Sequence, residues 1–114
     1  MSPDVPPVIS KVYDLVLWLL NQIPKFPRSH RFVLGDRIEN SILEVLELLI
    51  EAAYTRDKVI LLRQTGIQLE KLRYLIRISK DLKFLSLRQY EFVSEQIDEV
   101  GRMVGGWLRQ QEGR

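Results

Sequence analysis

The chain has no cysteine, a single histidine and no apolar run longer than the six residues Leu15–Leu20. Without cysteine there are no disulfides, no thiolate zinc sites and no cysteine nucleophile; a reducing compartment is permitted. A membrane-spanning helix takes about 20 apolar residues, so no membrane segment is expected. The opening MSPDVPP lacks a basic region followed by an apolar core, so no signal peptide is expected and the protein reads as cytoplasmic. His30 has no Glu-x-x-His around it, which removes the di-iron bundle motif, and no partner set that would make it a metal ligand. GxxxxGK[ST], a Ser-x-Gly elbow and paired catalytic carboxylates are also missing. No enzymatic activity, cofactor or metal is expected.

What remains is a helical pattern. At 114 residues, the chain reads as one domain, 1–114, large enough for a core without staples. Residues 1–6 form a proline-rich, flexible lead, and Pro7 suits a first helical turn. Val8, Val12, Leu15, Leu19 and Ile23 then recur at helical spacing. Trp18 and Leu17 fall outside that stripe, which suggests burial on more than one side. Pro24 and Pro27 stop the helix, and Ser29 is the expected N-cap of the next. Its apolar face is Phe32, Leu34, Ile38, Ile42, Val45, Leu46, Leu49 and Ala53, with Glu44, Glu47 and Glu51 opposite. Gly35, in the first turns, predicts a close backbone approach or a turn that is not fully helical.

A third helix is predicted over Lys58–Leu82, with two apolar arcs. Leu61, Leu62, Leu69, Leu72, Leu75 and Ile76 suffice for a bundle core, leaving Ile60, Ile67, Tyr74, Ile78 and Leu82 for a neighbouring subunit. Ser86 is the expected N-cap of the last helix, where Tyr90, Val93, Ile97, Val100, Val104 and Trp107 alternate three and four. Gly101, Gly105 and Gly106 inside it cost about 3 kcal/mol together; close helix–helix packing is the expected return, and 110–114 a polar tail. With short connections, the fold class is all-α, an antiparallel up-down-up-down four-helix bundle.

Net charge is only +2, but it is unevenly placed. Arg56–Arg88 holds nine basic and three acidic residues, whereas Arg31–Tyr54 holds two basic and five acidic. On the third helix Arg63, Arg73, Arg77 and Lys80 share a narrow strip with Glu70, and Arg37, Lys58, Lys71 and Lys83 are near in sequence. Such a strip could meet phosphates or serve as a solvated or intersubunit ion-pair face. The glutamates of the second helix are a solvated face or the partners of that strip.

Three segments, KFPRSHRFVLGDRIEN at 25–40, LEKLRYLIRISKDL at 69–82 and IDEVGRMVGGWLRQ at 97–110, resemble in order and spacing the family that includes Avd, the accessory variability determinant of diversity-generating retroelements, and the proteins encoded by intervening sequences in bacterial large-subunit ribosomal RNA genes. LRYLIR and EVGRMVGGW favour the Avd-like branch. The resemblance implies a non-catalytic protein whose protomers form a basic homopentamer with a central channel. It implies association with the element's reverse transcriptase and its template RNA, or DNA, in mutagenic cDNA synthesis. Arg73 and Arg77 lie in the matching LxxLRxxxR stretch and are the implied nucleic-acid or polymerase contacts, with Arg63 and Lys80 following on the same strip. The other branch implies an oligomeric interaction module of unknown pathway.

Overall fold

A computed structural model describes residues 5–113. Four long helices carry the fold: α1 (Pro7–Gln22), α2 (Asp36–Tyr54), α3 (Val59–Asp81) and α4 (Leu87–Glu112). No strand occurs among the described residues. Of the lead expected over residues 1–6, residues 1–4 lie outside the described range. Of the polar tail expected over residues 110–114, residues 110–112 continue α4 and residue 114 lies outside the described range.

The stripes read from the sequence are the core. Val8, Val12, Leu15, Leu19 and Ile23 are buried, as are Leu62, Leu69, Leu72 and Ile76, and Val93, Ile97, Val100 and Val104. Each such side chain contributes about 1.5–3 kcal/mol. Trp18 is half-buried and stacks on Phe92 of α4 at 5.2 Å, while Leu17 beside it is exposed. α2 packs on α1 and α3, and α4 packs on the same two, which places α1 and α3 on a diagonal. Arg63 meets Glu112 and Arg73 meets Asp98; as one number rises the other falls, so α3 and α4 run antiparallel. The molecule measures 47 × 23 × 21 Å.

The α1–α2 connection departs from expectation. After Pro24 and Pro27 the chain re-enters a helical turn at Arg28 with Pro27, not Ser29, at the N-cap position. The Pro27 carbonyl accepts from the amides of His30 and Arg31 at 2.9 and 3.0 Å, and the Ser29 hydroxyl pairs with His30 Nδ1 at 2.9 Å instead. Arg31–Gly35 then forms a π-turn. The wider turn takes in an extra residue and shifts the helical register, so Phe32 does not join the apolar face and is 67% exposed beside exposed Val33. Leu48 is buried although it lay outside the expected face. Gly35 meets both halves of its expectation. It closes the π-turn, and a Cβ there would stand 2.7 Å from Ile23 Cγ2.

Local chemistry finishes the other ends. Lys58 Nζ donates to the carbonyls of Ala52 and Thr55 at 2.7 and 2.6 Å, closing the C-terminus of α2. Ser86 caps α4 as expected, with its hydroxyl accepting from the Gln89 amide at 3.1 Å and Gln89 Oε1 accepting from the Ser86 amide at 2.9 Å.

Candidate functional site

The third helix sets the candidate site because its core arc consumes only one side. Arg63, Arg73, Arg77 and Lys80 all project from the remaining side, along its seam with α4. Their surroundings differ. Arg63 Nη2 lies 2.5 Å from Glu112 Oε2. Arg73 is the centre of a triad, donating to Glu70 Oε1 at 3.0 Å and to the carboxylate of Asp98. Partial burial disfavours its charge, but the hydrogen bond and charge of Asp98, with those of Glu70, outweigh that and raise its pKa. Lys80 Nζ lies 3.1 Å from Asp81 Oδ1 and 4.9 Å from the centre of the Tyr90 ring. Arg77 is exposed and has no ion-pair partner among the described residues.

The strip is therefore less free than Glu70 alone would make it, because α4 lays Asp98 and Glu112 alongside. Their signal in the sequence is a second periodic face on α4: Asp98, Gly101, Gly105, Leu108 and Glu112, spaced by three and four. The glycines on that face do not seat a neighbouring helix within the chain. A Cβ on Gly101 would lie 3.3 Å from Arg73 Nη2, and one on Gly105 3.4 Å from Arg109 Nη1. Gly66 across the seam would meet nothing within 4 Å. The glycines thus leave room for guanidinium groups and open a groove of about 720 Å³ floored by Leu62, Leu69, Val104 and Leu108. The more distant cations separate from the strip. Lys58 caps α2, and Arg37 and Lys71 line a different groove, between α2 and α3.

The arrangement suits recognition. Among the described residues, no three His, Asp or Glu side chains come together as metal ligands, and no helix is long and apolar enough to cross a membrane. His30 is exposed, with its ring 5.0 Å from that of Phe84. The comparison that decides the kinship is with protein families: the model described as bAvd-like matches residues 8–111. This chain belongs to the bAvd-like family. The matched span takes in all four bAvd-like helices but for Pro7 and Glu112 at their outer ends, and every residue of the α3 strip. At that level it is an accessory protein of the Avd type. No curated protein matches the chain.

Proposed function

We propose that this bAvd-like protein is the non-catalytic accessory factor of a diversity-generating retroelement. In this reading it forms a homopentamer in the cytoplasm that binds the reverse transcriptase and its template RNA, supporting mutagenic cDNA synthesis. The single observation that carries this is the family match over residues 8–111. Arg77, the one strip cation without an ion-pair partner among the described residues, is then the leading phosphate contact. Arg73, held by Glu70 and Asp98, presents only part of its guanidinium, and Arg63 and Lys80 flank it. Repetition around an oligomer supplies the avidity that one protomer of net charge +2 lacks.

A second reading has a specific observation in its favour. Three of the four strip cations already hold carboxylates of their own chain, as a structural or intersubunit face would. The protein is then an oligomeric interaction module of the intervening-sequence type.

Light scattering on the chromatographic peak, followed by binding of structured RNA across a salt series, separates the two. The accessory-factor reading expects a closed oligomer whose RNA affinity falls steeply with salt, with a log–log slope of about 0.7–0.9 per phosphate neutralised. Arg73→Ala/Arg77→Ala then leaves assembly intact and weakens RNA or polymerase binding. Loss of assembly in that double variant, or indifference to RNA and polymerase at low salt, would overturn it.

A further inference from the structure

Two apolar surfaces are exposed on different sides of the bundle. The first is the ridge of α3, where Ile60, Ile67, Tyr74 and Ile78 are 62, 59, 64 and 44% exposed. On the α2 side of this ridge runs a groove of about 960 Å³, in which Phe32 and Val33 of the π-turn accompany Tyr74 and Leu75. Ser41 lines it, only 8% exposed, and its hydroxyl has no hydrogen-bond partner. The other buried hydroxyls behave differently: Thr65 and Ser79 donate to the carbonyls of Leu61 and Leu75 at 2.8 and 2.9 Å. A buried polar group left unpaired costs about 1–3 kcal/mol, so the groove is incomplete as it stands. Arg37 and Lys71 share it, and neither has an ion-pair partner among the described residues.

The second surface belongs to α1 and α2. Tyr13, Leu17, Ile50 and Tyr54 are 55, 47, 40 and 80% exposed. Ile50 stands nine residues from Ser41, half a turn around α2 at about 100° per residue, so it faces away from the groove. Tyr13 and Leu17 sit away from the flank where Trp18 stacks on α4, on the helix diagonal to α3. Asp14 and Glu47 border this surface, again with no ion-pair partner among the described residues.

We infer that the α3 ridge and its Ser41 groove receive the α1–α2 surface of a second copy of the chain, so that protomers join head to tail. This rests on the oligomeric part of the proposed function and says which surfaces mate. Apolar meets apolar. Arg37 and Lys71 find Asp14 and Glu47, and the docked surface supplies the missing partner for Ser41. A two-fold pairing of ridge on ridge would leave Tyr13, Leu17, Asp14 and Glu47 facing water. Because the two surfaces differ, every protomer keeps one of each to offer, and repetition builds a ring when the rotation between copies closes, as the closed oligomer of the proposed function requires.

Two surface variants test this by light scattering: Tyr13→Glu/Leu17→Glu and Ile67→Glu/Tyr74→Glu, each checked for unchanged helical circular dichroism. The milder Leu17→Ser and Ile67→Ser replace either variant if it loses helix. Wild type is expected to be a closed oligomer and each variant alone a monomer. An equimolar mixture is expected to give a 1:1 dimer and nothing larger, since it holds one intact ridge and one intact α1–α2 surface. Normal assembly of the α1 variant overturns the inference, as does a mixture that stays monomeric, and either result leaves the oligomer itself standing. A monomeric wild type defeats the oligomeric reading, and this inference with it.

Discussion

At the residue scale the glycines separate by what surrounds them. Gly35 is held by contact, since its Cβ would fall 2.7 Å from Ile23 Cγ2, at the packed junction of α1 with the π-turn. Gly35→Ala is expected to destabilise by about 1–3 kcal/mol through overpacking. Gly66, in the middle of α3 with nothing within 4 Å of its absent Cβ, has no such constraint. Gly66→Ala should stabilise by up to about 1 kcal/mol through helix propensity. Urea unfolding of the two variants checks both signs; effects of the same sign would overturn one of the two readings. Ser41 extends the logic to polar atoms. In the assembly-deficient Ile67→Glu/Tyr74→Glu background, Ser41→Ala should be neutral or stabilising, because it removes a buried hydroxyl without a partner. Thr65→Ala and Ser79→Ala in the same background break hydrogen bonds and should each lose stability.

At the element scale the helix ends carry the argument. α4 begins at a reciprocal pair, Ser86 and Gln89, while α1, α2 and α3 begin with no side-chain cap. Ser86→Ala is expected to cost about 1 kcal/mol, read as a lower thermal midpoint, and Ser86→Asp to restore most of it. The same cap was legible in the sequence because a capping box is a local pattern of two residues. The core stripes were legible because a straight helix repeats with a fixed period. Phe32 was misplaced where that period breaks: a π-turn shifts the register by one residue without leaving a compositional mark, and the apolar face extrapolated back from Ile38 runs through it. Ser29 is not the cap because Pro27, whose carbonyl accepts two amides, already starts the turn. In the candidate site the α3 strip was legible, being periodic on one helix. The carboxylates Asp98 and Glu112 that pair with it were not, since pairing between two helices depends on their register and not on either helix alone.

At the scale of the whole molecule the question is how one core answers to assembly. All four helices contribute to a single continuous cluster of buried side chains, so a protomer has no smaller unit that could melt first. Trp18 on α1 and Trp107 on α4 are both half-buried against that cluster, and their fluorescence reports opposite ends of the chain. In the Ile67→Glu/Tyr74→Glu variant, fluorescence and far-ultraviolet circular dichroism are expected to follow one coincident, two-state transition. Its midpoint should not depend on protein concentration. The wild-type chain differs by one linkage: docking of the α1–α2 surface on the ridge acts as a ligand that binds only the folded protomer. Mass action then adds stability that grows with the logarithm of concentration over dissociation constant, about 1.4 kcal/mol per tenfold. Wild-type thermal midpoints should therefore climb as the protein is concentrated and converge on the variant's value as it is diluted. A wild-type midpoint that is flat across a hundredfold range spanning dissociation would show that the exposed apolar surfaces contribute nothing to stability through self-association. It would move their role to a partner of another kind.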